Sequence, residues 1–256
     1  MKVSIITTCY NREATIRDSI ESVLGQDYDD IEYIVVDGAS KDSSLSIINE
    51  YKNRISTIVS EPDRGMYEAI NKGVSRATGD IIGLMHSDDV FHSTTTISDI
   101  VNQFNSQNID ILYGNGLFVD ESNLDRVVRN WVSGEFDRPK MRRGWLPLHP
   151  TVYIRRECFS KMGLYDESYK IAADSEFLLR YMYKSKFKIA YFDRYIVRMR
   201  MGGLSTDPKK MKKKWSEDLR LYRTHGFNAY WALGCKIASK VPQFITAKFI
   251  WTEDKI

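Results

Sequence analysis

The segment Asp80–Asp89, DIIGLMHSDD, runs from an apolar strand pattern straight into an acidic turn. A short apolar run ended by polar residues reads as a buried strand whose carboxyl end presents chemistry. Working outward, Met66, Ile70 and Val74 recur at helical spacing before it, with Gly79 as the stop, and Ile97, Ile100, Val101 and Phe104 do so after it. The same alternation extends to both sides. Strands are expected over Lys2–Thr7, Glu32–Asp37, Ser56–Ser60 and Ile109–Gly114, and Ile16, Ile20, Val23 and Leu24 mark a helix between the first two. Strand and helix in alternation predict an α/β fold, a mostly parallel Rossmann-like sheet flanked by helices.

Ligands of open parallel sheets collect beyond the carboxyl ends of the strands. The polar residues follow that rule: Thr8, Tyr10 and Asn11 after the first strand, Asp37-Gly38 after the second, Glu61–Gly65 after the third and His86–Asp89 after the fourth. One such turn means little, because Asp and Gly belong in turns for backbone reasons. Four in register predict a site. The first turn, TTCYNRE, lacks the glycines of a dinucleotide fingerprint, and no GxxxxGK[ST] loop occurs. A bound nucleotide diphosphate then needs another source of positive charge, which a divalent cation on Asp88 and Asp89 supplies. A helix N-cap pair is the plainer reading of those two acids.

Beyond Leu117 the pattern is less regular, with a loop expected over Gly134–Pro150 and a helix over Asp174–Tyr183. MGGLSTDPKK (201–210) reads as a further loop, followed by helices over Met211–Tyr222 and Asn228–Phe249, the second broken by Pro242. A boundary near residue 205 separates a catalytic domain, 1–205, from a basic amphipathic helical tail, 206–256. Residues 200–256 carry 12 Lys/Arg against 5 Asp/Glu, whereas the first 199 carry 25 against 29. This tail, with Trp215, Trp231, Phe244, Phe249 and Trp251 among its lysines, suits an anionic membrane surface. A helical cap packed on the catalytic domain suits it equally, and nucleic acid is not expected. Cys9, Cys158 and Cys235 form no zinc or disulfide pattern, no run reaches the ~18 apolar residues of a membrane span, and the start MKVSIITTCYNRE does not read as a signal peptide. The expected location is cytoplasmic, peripheral on the inner face of the cell membrane.

The motifs VSIITTCYNRE, IEYIVVDGASKDSS, SEPDRGMYEAINKG, ATGDIIGLMHSDDV, GLYDESYKIAADSEFLLR and MRMGGLST, in this order, resemble family 2 glycosyltransferases of the GT-A fold, the inverting enzymes of bacterial polysaccharide assembly. The resemblance spans Val3–Thr206. It implies a nucleotide-binding half (1–115), an acceptor half (116–205) and transfer from a UDP-sugar, with Mg²⁺ or Mn²⁺, to a saccharide or lipid-linked saccharide. It further implies Asp37 as the uracil acceptor, Thr8 and Tyr10 against the base, Asp88 at the ribose, Asp89 as metal ligand and Asp174 as general base. His86 departs from the family's acidic first position. Arg64 is either a base or phosphate contact or a solvated surface charge, and Tyr10 is alternatively core filling. His149 stands near the acceptor side or is structural. Glu176 competes with Asp174, whose own plainer role is to favour its helix N-terminus. A sugar-nucleotide pyrophosphorylase and a catalytically inactive nucleotide-sugar-binding module are the alternative functions; the first should open on a Gly-rich phosphate loop, which is missing.

Overall fold

The computed structural model describes residues 1–202 and 210–249. The strands are β1 (Val3–Cys9), β2 (Ile31–Asp37), β3 (Thr57–Ser60), β4 (Ile81–Leu84), β5 (Asp89–Phe91), β6 (Ile111–Val119), β7 (Val127–Trp131), β8 (Tyr153–Arg155) and β9 (Ile189–Arg200). The helices are α1 (Ile16–Leu24), α2 (Ser44–Glu50), α3 (Met66–Arg76), α4 (Thr96–Ser106), α5 (Arg138–Met141), α6 (Glu157–Met162), α7 (Ala173–Leu178), α8 (Met211–Thr224), α9 (Ala229–Ala238) and α10 (Val241–Thr246). A π-helical stretch, Leu179–Lys184, continues α7.

One sheet runs in the order β3-β2-β1-β4-β8-β6-β9-β5, with β7 paired to β6. Its first four strands are parallel, as the alternation of strand and helix requires. From β4 onward the sheet is mixed: β8 runs antiparallel to both β4 and β6, and β5 runs antiparallel to β9. The expected mostly parallel sheet is therefore parallel over β3-β2-β1-β4 and again between β6 and β9, with antiparallel pairs between and beside them. Both faces are covered. Ile6, Ile34, Ile70, Val74 and Phe177 belong to one core layer, and Ile5, Ile16, Ile20, Val35 and Phe104 to the other.

Helix–strand packing is close where the sequence supplies small residues. A Cβ on Gly73 of α3 would stand 2.4 Å from Cγ2 of Ile6, so only glycine lets α3 settle at this depth on β1. The helix expected over Asn228–Phe249 is broken as foreseen, with Pro242 in the first turn of α10, where its missing N–H costs nothing. The residue-205 boundary, most of the MGGLSTDPKK loop and Trp251 lie outside the described residues.

The helices after residue 210 pack on the rest of the chain. Leu221, Tyr222 and Ala232 are fully buried, and Tyr222 joins the layer that contains Phe177. Their outer side leaves Tyr230, Trp231, Val241 and Ile245 exposed among lysines. A cap on the inside and an apolar, basic surface on the outside thus coexist in one segment.

Candidate active site

The four strand-end turns converge as the sequence indicates. At the ends of β1 and β2 two non-glycine residues, Asn11 (φ 52°) and Ala39 (φ 59°), hold left-handed backbone, a conformation that costs about 1 kcal/mol or more and persists only when neighbours fix it. Here the two loops fix each other. Asn11 donates its N–H to Ser40 Oγ (2.9 Å) and accepts Lys41 N–H on Oδ1 (2.8 Å). Tyr10, on the strained turn, is 54% exposed, which rules out core filling and leaves its ring open to a ligand.

Asp37 is fully buried at the end of β2. Its carboxylate accepts the N–H and Oγ of Ser40 (3.1 and 2.5 Å) and Oγ of Ser60 (2.7 Å). Thr8 lies beside it on β1, opposite Val36 in the parallel register. Asp63 closes the same corner: a Cβ on Gly38 would meet Asp63 Oδ2 at 2.4 Å and Tyr10 Cδ2 at 3.4 Å. Sequence reading passed over Asp63 in favour of its neighbour Arg64. The Arg64 guanidinium pairs with Glu68 (2.8 Å) and Glu167 (2.7 Å), so its side chain ties the third turn to the segment before α7.

The acidic turn after β4 hangs from α1: Thr15 Oγ1 donates to Ser87 O and Ser19 Oγ to His86 O, both at 2.9 Å. Asp88 lies 3.6 Å from Arg12 Nη2. Asp89 opens β5 rather than a helix, and α4 begins only at Thr96, so the pair does not cap it. Buried to 1% exposure, Asp89 accepts Arg200 N–H on Oδ1 (3.1 Å), while its Oδ2 has no hydrogen-bond partner among the described residues. Burial, and then the Asp88 charge beside it, push the Asp89 carboxyl well above its usual range. Arg200 also donates to Asp88 O (2.8 Å) and to Asp18 Oδ2 (2.5 Å), binding the whole turn to β9. Its role had no local signal beyond its place in MRMGGLST.

Asp174 enters from the far side, at the start of α7 and only partly buried. Three supports hold the segment that precedes it. Tyr67 Oη donates to Ile171 O (2.9 Å), Asn71 bonds both N–H and C=O of Tyr165 (2.9 Å each), and Glu217 of α8 accepts the N–H groups of Lys170, Ile171 and Ala172 (3.0, 2.8 and 3.0 Å). Beneath lies a stack of Tyr165, Phe177 and Tyr181, with centroids 4.0 and 3.9 Å apart. Glu176 faces elsewhere: it is buried and paired with Arg180 at 3.0 Å.

The two halves meet at the histidines. His86 and His149 have ring centroids 6.2 Å apart, and His149 Nε2 bonds Tyr165 Oη at 2.8 Å. Burial holds both imidazoles below their ordinary value, His149 at about 4, even though Asp174 acts on both and Asp88 on His86 in the opposite sense. Asp88 thus faces the Arg12 guanidinium on one side and the His86 ring on the other, while Asp174 accepts the N–H of Ser175 on Oδ1 at 2.6 Å.

Comparison with known proteins gives the family and the fold. The profile of Glycosyl transferase family 2 matches residues 4–168. An uncharacterized glycosyltransferase of Mycobacterium tuberculosis is 31% identical over 188 residues, which cover 70% of this chain and 68% of that one. Among solved structures, residues 1–349 of S. aureus TarS in complex with UDP-GlcNAc superpose with a TM-score of 0.71 at 18% identity, covering 99% of this chain and 74% of that one. Against the longer TarS chain the coverage is 44%. The mannosyltransferase PcManGT from Pyrobaculum calidifontis, in complex with GDP-Man and Mn²⁺, gives 0.64 at 15% identity, covering 99% and 77%. The shared architecture is the GT-A fold.

Proposed function

The chain belongs to glycosyl transferase family 2, and on that footing we propose that it moves a sugar, with inversion, from a UDP-sugar to a hydroxyl of a saccharide or lipid-linked saccharide in cell-surface polysaccharide assembly. The observation that carries this reading is the meeting of the acidic turn His86–Asp89 with the start of α7 across the His86–His149 pair. Donor-side acids and an acceptor-side carboxylate then flank one space, as a displacement with the base opposite the leaving group requires.

Asp37 and Tyr10 receive the uracil ring, with Thr8 beside them, and Asp88 receives the ribose hydroxyls. Arg64, through its pairing with Glu68 and Glu167, holds the loop over the donor. Asp174 takes the proton of the attacking hydroxyl as the bond to the sugar forms. Its advantage over Glu176 is that Glu176 is already committed to Arg180. Asp89 fits a divalent cation, Mg²⁺ or Mn²⁺, because a buried carboxylate oxygen without a partner is costly unless a positive charge meets it. Such an ion supplies positive charge to the donor diphosphate. Among the described residues no three His, Cys, Asp or Glu side chains converge on one point, so the remaining ligands come from donor and water. The complexes of TarS with UDP-GlcNAc and of PcManGT with GDP-Man and Mn²⁺ support a nucleotide-sugar donor here.

No helix among the described residues is long and apolar enough to cross a membrane. The exposed Tyr230, Trp231, Val241 and Ile245 among lysines support peripheral attachment to an anionic cytoplasmic leaflet. The donor reading is tested by screening UDP-, GDP- and CDP-sugars for protection against thermal unfolding with and without Mg²⁺ or Mn²⁺. UDP-sugars should protect only with metal. A preference for GDP-sugars would overturn the uracil assignment.

A further inference from the structure

Asp174 is followed by a buried serine whose side chain is held from the C-terminal helices. Oγ of Ser175 accepts a hydrogen bond from Nζ of Lys236 on α9 at 3.2 Å, and the same Nζ donates to Oδ1 of Asp218 on α8 at 2.8 Å. The ion pair lies largely out of solvent: the side chains of Lys236 and Asp218 are 16% and 2% exposed. At its other end Ser175 offers the N–H that the Asp174 carboxylate accepts at 2.6 Å. Polar contacts thus lead from Asp218 through Lys236 and Ser175 to Asp174.

Particular residues seat Lys236 there. Gly144 holds left-handed backbone (φ 77°), and a Cβ on it would stand 2.4 Å from Ala232 O and 2.9 Å from Lys236 Cβ, so only glycine lets α9 come this close. Ala232, one turn before Lys236, is fully buried, and the ring centroid of Tyr222 lies 6.0 Å from Nζ. Packing alone does not call for an ammonium at this place. Withdrawing two charges from water costs several kcal/mol, and an apolar pair of similar size often docks two helices as well or better. What an apolar pair cannot do is donate to Ser175.

We infer that Lys236 is a positioning residue for the proposed base: anchored by Asp218, it fixes Ser175 and with it the first turn of α7, from which the Asp174 carboxylate is aimed at the attacking hydroxyl. The inference rests on the transfer reading above. Glu217 steadies the backbone that leads into Asp174, whereas Lys236 acts on the residue that follows it. Helices of the C-terminal segment therefore hold the base from either side in sequence. A misplacement of about 1 Å at a reacting group can cost about 10²-fold in rate, which gives such a hold its purpose.

Ser175→Ala removes the acceptor and leaves the Lys236–Asp218 pair in place, so it separates this contact from the docking of α9. Two readouts on the full chain test the inference. In hydrogen exchange, the N–H of Glu176, which bonds Ala172 O at 3.0 Å, should exchange about tenfold faster in Ser175→Ala and in Lys236→Met, with β1 and β2 unchanged. In turnover, UDP release is followed from UDP-glucose, UDP-galactose and UDP-GlcNAc with water as the acceptor. Each variant should lose about tenfold in kcat at unchanged donor KM, and the double variant should be no slower than Lys236→Met, because both changes break one contact. Should Lys236→Met fail to fold with Asp218 unpaired, Ser175→Ala decides alone. An unchanged kcat in folded Ser175→Ala, or losses that multiply in the double variant, overturns the inference. If wild type turns over none of the three donors, it is the donor reading that fails, and exchange at Glu176 then decides whether Lys236 holds the first turn of α7.

Discussion

The carboxylate of Glu217 accepts the backbone N–H of Ala172 at 3.0 Å, two residues before Asp174. A residue of the basic C-terminal segment thus sets the backbone from which the proposed base projects. Glu217→Ala leaves the buried N–H groups of Ile171 and Ala172 unpaired, and each such loss costs about 1 to 3 kcal/mol. Lower thermal stability is expected, together with a fall in kcat that exceeds any change in donor KM. A normal kcat in a folded variant would show that α8 serves packing alone.

Asp174 and Glu176 separate in the same way. Asp174→Asn keeps shape but cannot take a proton, and should lower turnover by ~10² to 10⁴ with UDP binding retained. Glu176→Gln loosens the Arg180 pair and should act on stability first. If the Glu176 variant lost turnover and the Asp174 variant kept it, the base would be misassigned.

Asp89→Asn provides a sharper test of the cation than loss of activity alone. Asn can still accept Arg200 N–H, and it removes a buried charge whose Oδ2 is unpaired. Without metal the variant should be as stable as wild type or more so. Added Mn²⁺ should stabilise wild type and leave the variant's unfolding temperature unchanged. Equal metal response in both proteins would place the ion elsewhere.

Asp37→Ala should weaken UDP binding by ~1.5 to 3 kcal/mol, read by calorimetry, the range for a hydrogen bond to a charged group. It should also lower stability without ligand, because Ser40 and Ser60 lose their acceptor. A variant that lost stability but bound UDP as tightly as wild type would make Asp37 a loop brace only.

His149 gives a pH dependence. Its folded value, about 4, lies below the ordinary 6.5, so the unfolded chain takes up the proton first as pH falls. This contribution to stability is intact above pH 6.5 and is lost between there and pH 4, by about 3 kcal/mol at most. His149→Gln should flatten that part of the stability curve in urea titrations. Identical slopes would mean that His149 does not remain neutral in the fold.

The parallel half was legible because each of its strands is apolar on both faces and ends in a polar turn, as in IEYIVVD and DIIGLM. The mixed half was not. Among its strands, β8 spans only Tyr153–Arg155, β7 carries Arg129 and Asn130 in its centre, and β9 is half-exposed with Asp193 and Arg194 mid-strand. Their pairing depends on partners up to 110 residues distant, such as Asp89 with Met199, which no local pattern encodes. The same limit applies to the site. Asp37 and Asp88 stand at strand ends and declare themselves, whereas Glu217 looks like any Glu on a lysine-rich helix until α8 is docked. Arg200 likewise acquires meaning only when β9 pairs with β5.

The Glu217 clasp also bears on the order in which the protein matures. Synthesis runs from the N-terminus, and the strands that bear Asp37, Asp88 and Asp89 leave the ribosome well before residue 217. A growing chain therefore completes the strands of the nucleotide half before it can aim Asp174. Until the last helices close, the segment that leads into Asp174 has the Tyr67 and Asn71 supports but lacks the third, and the proposed base is the last part of the site to be set.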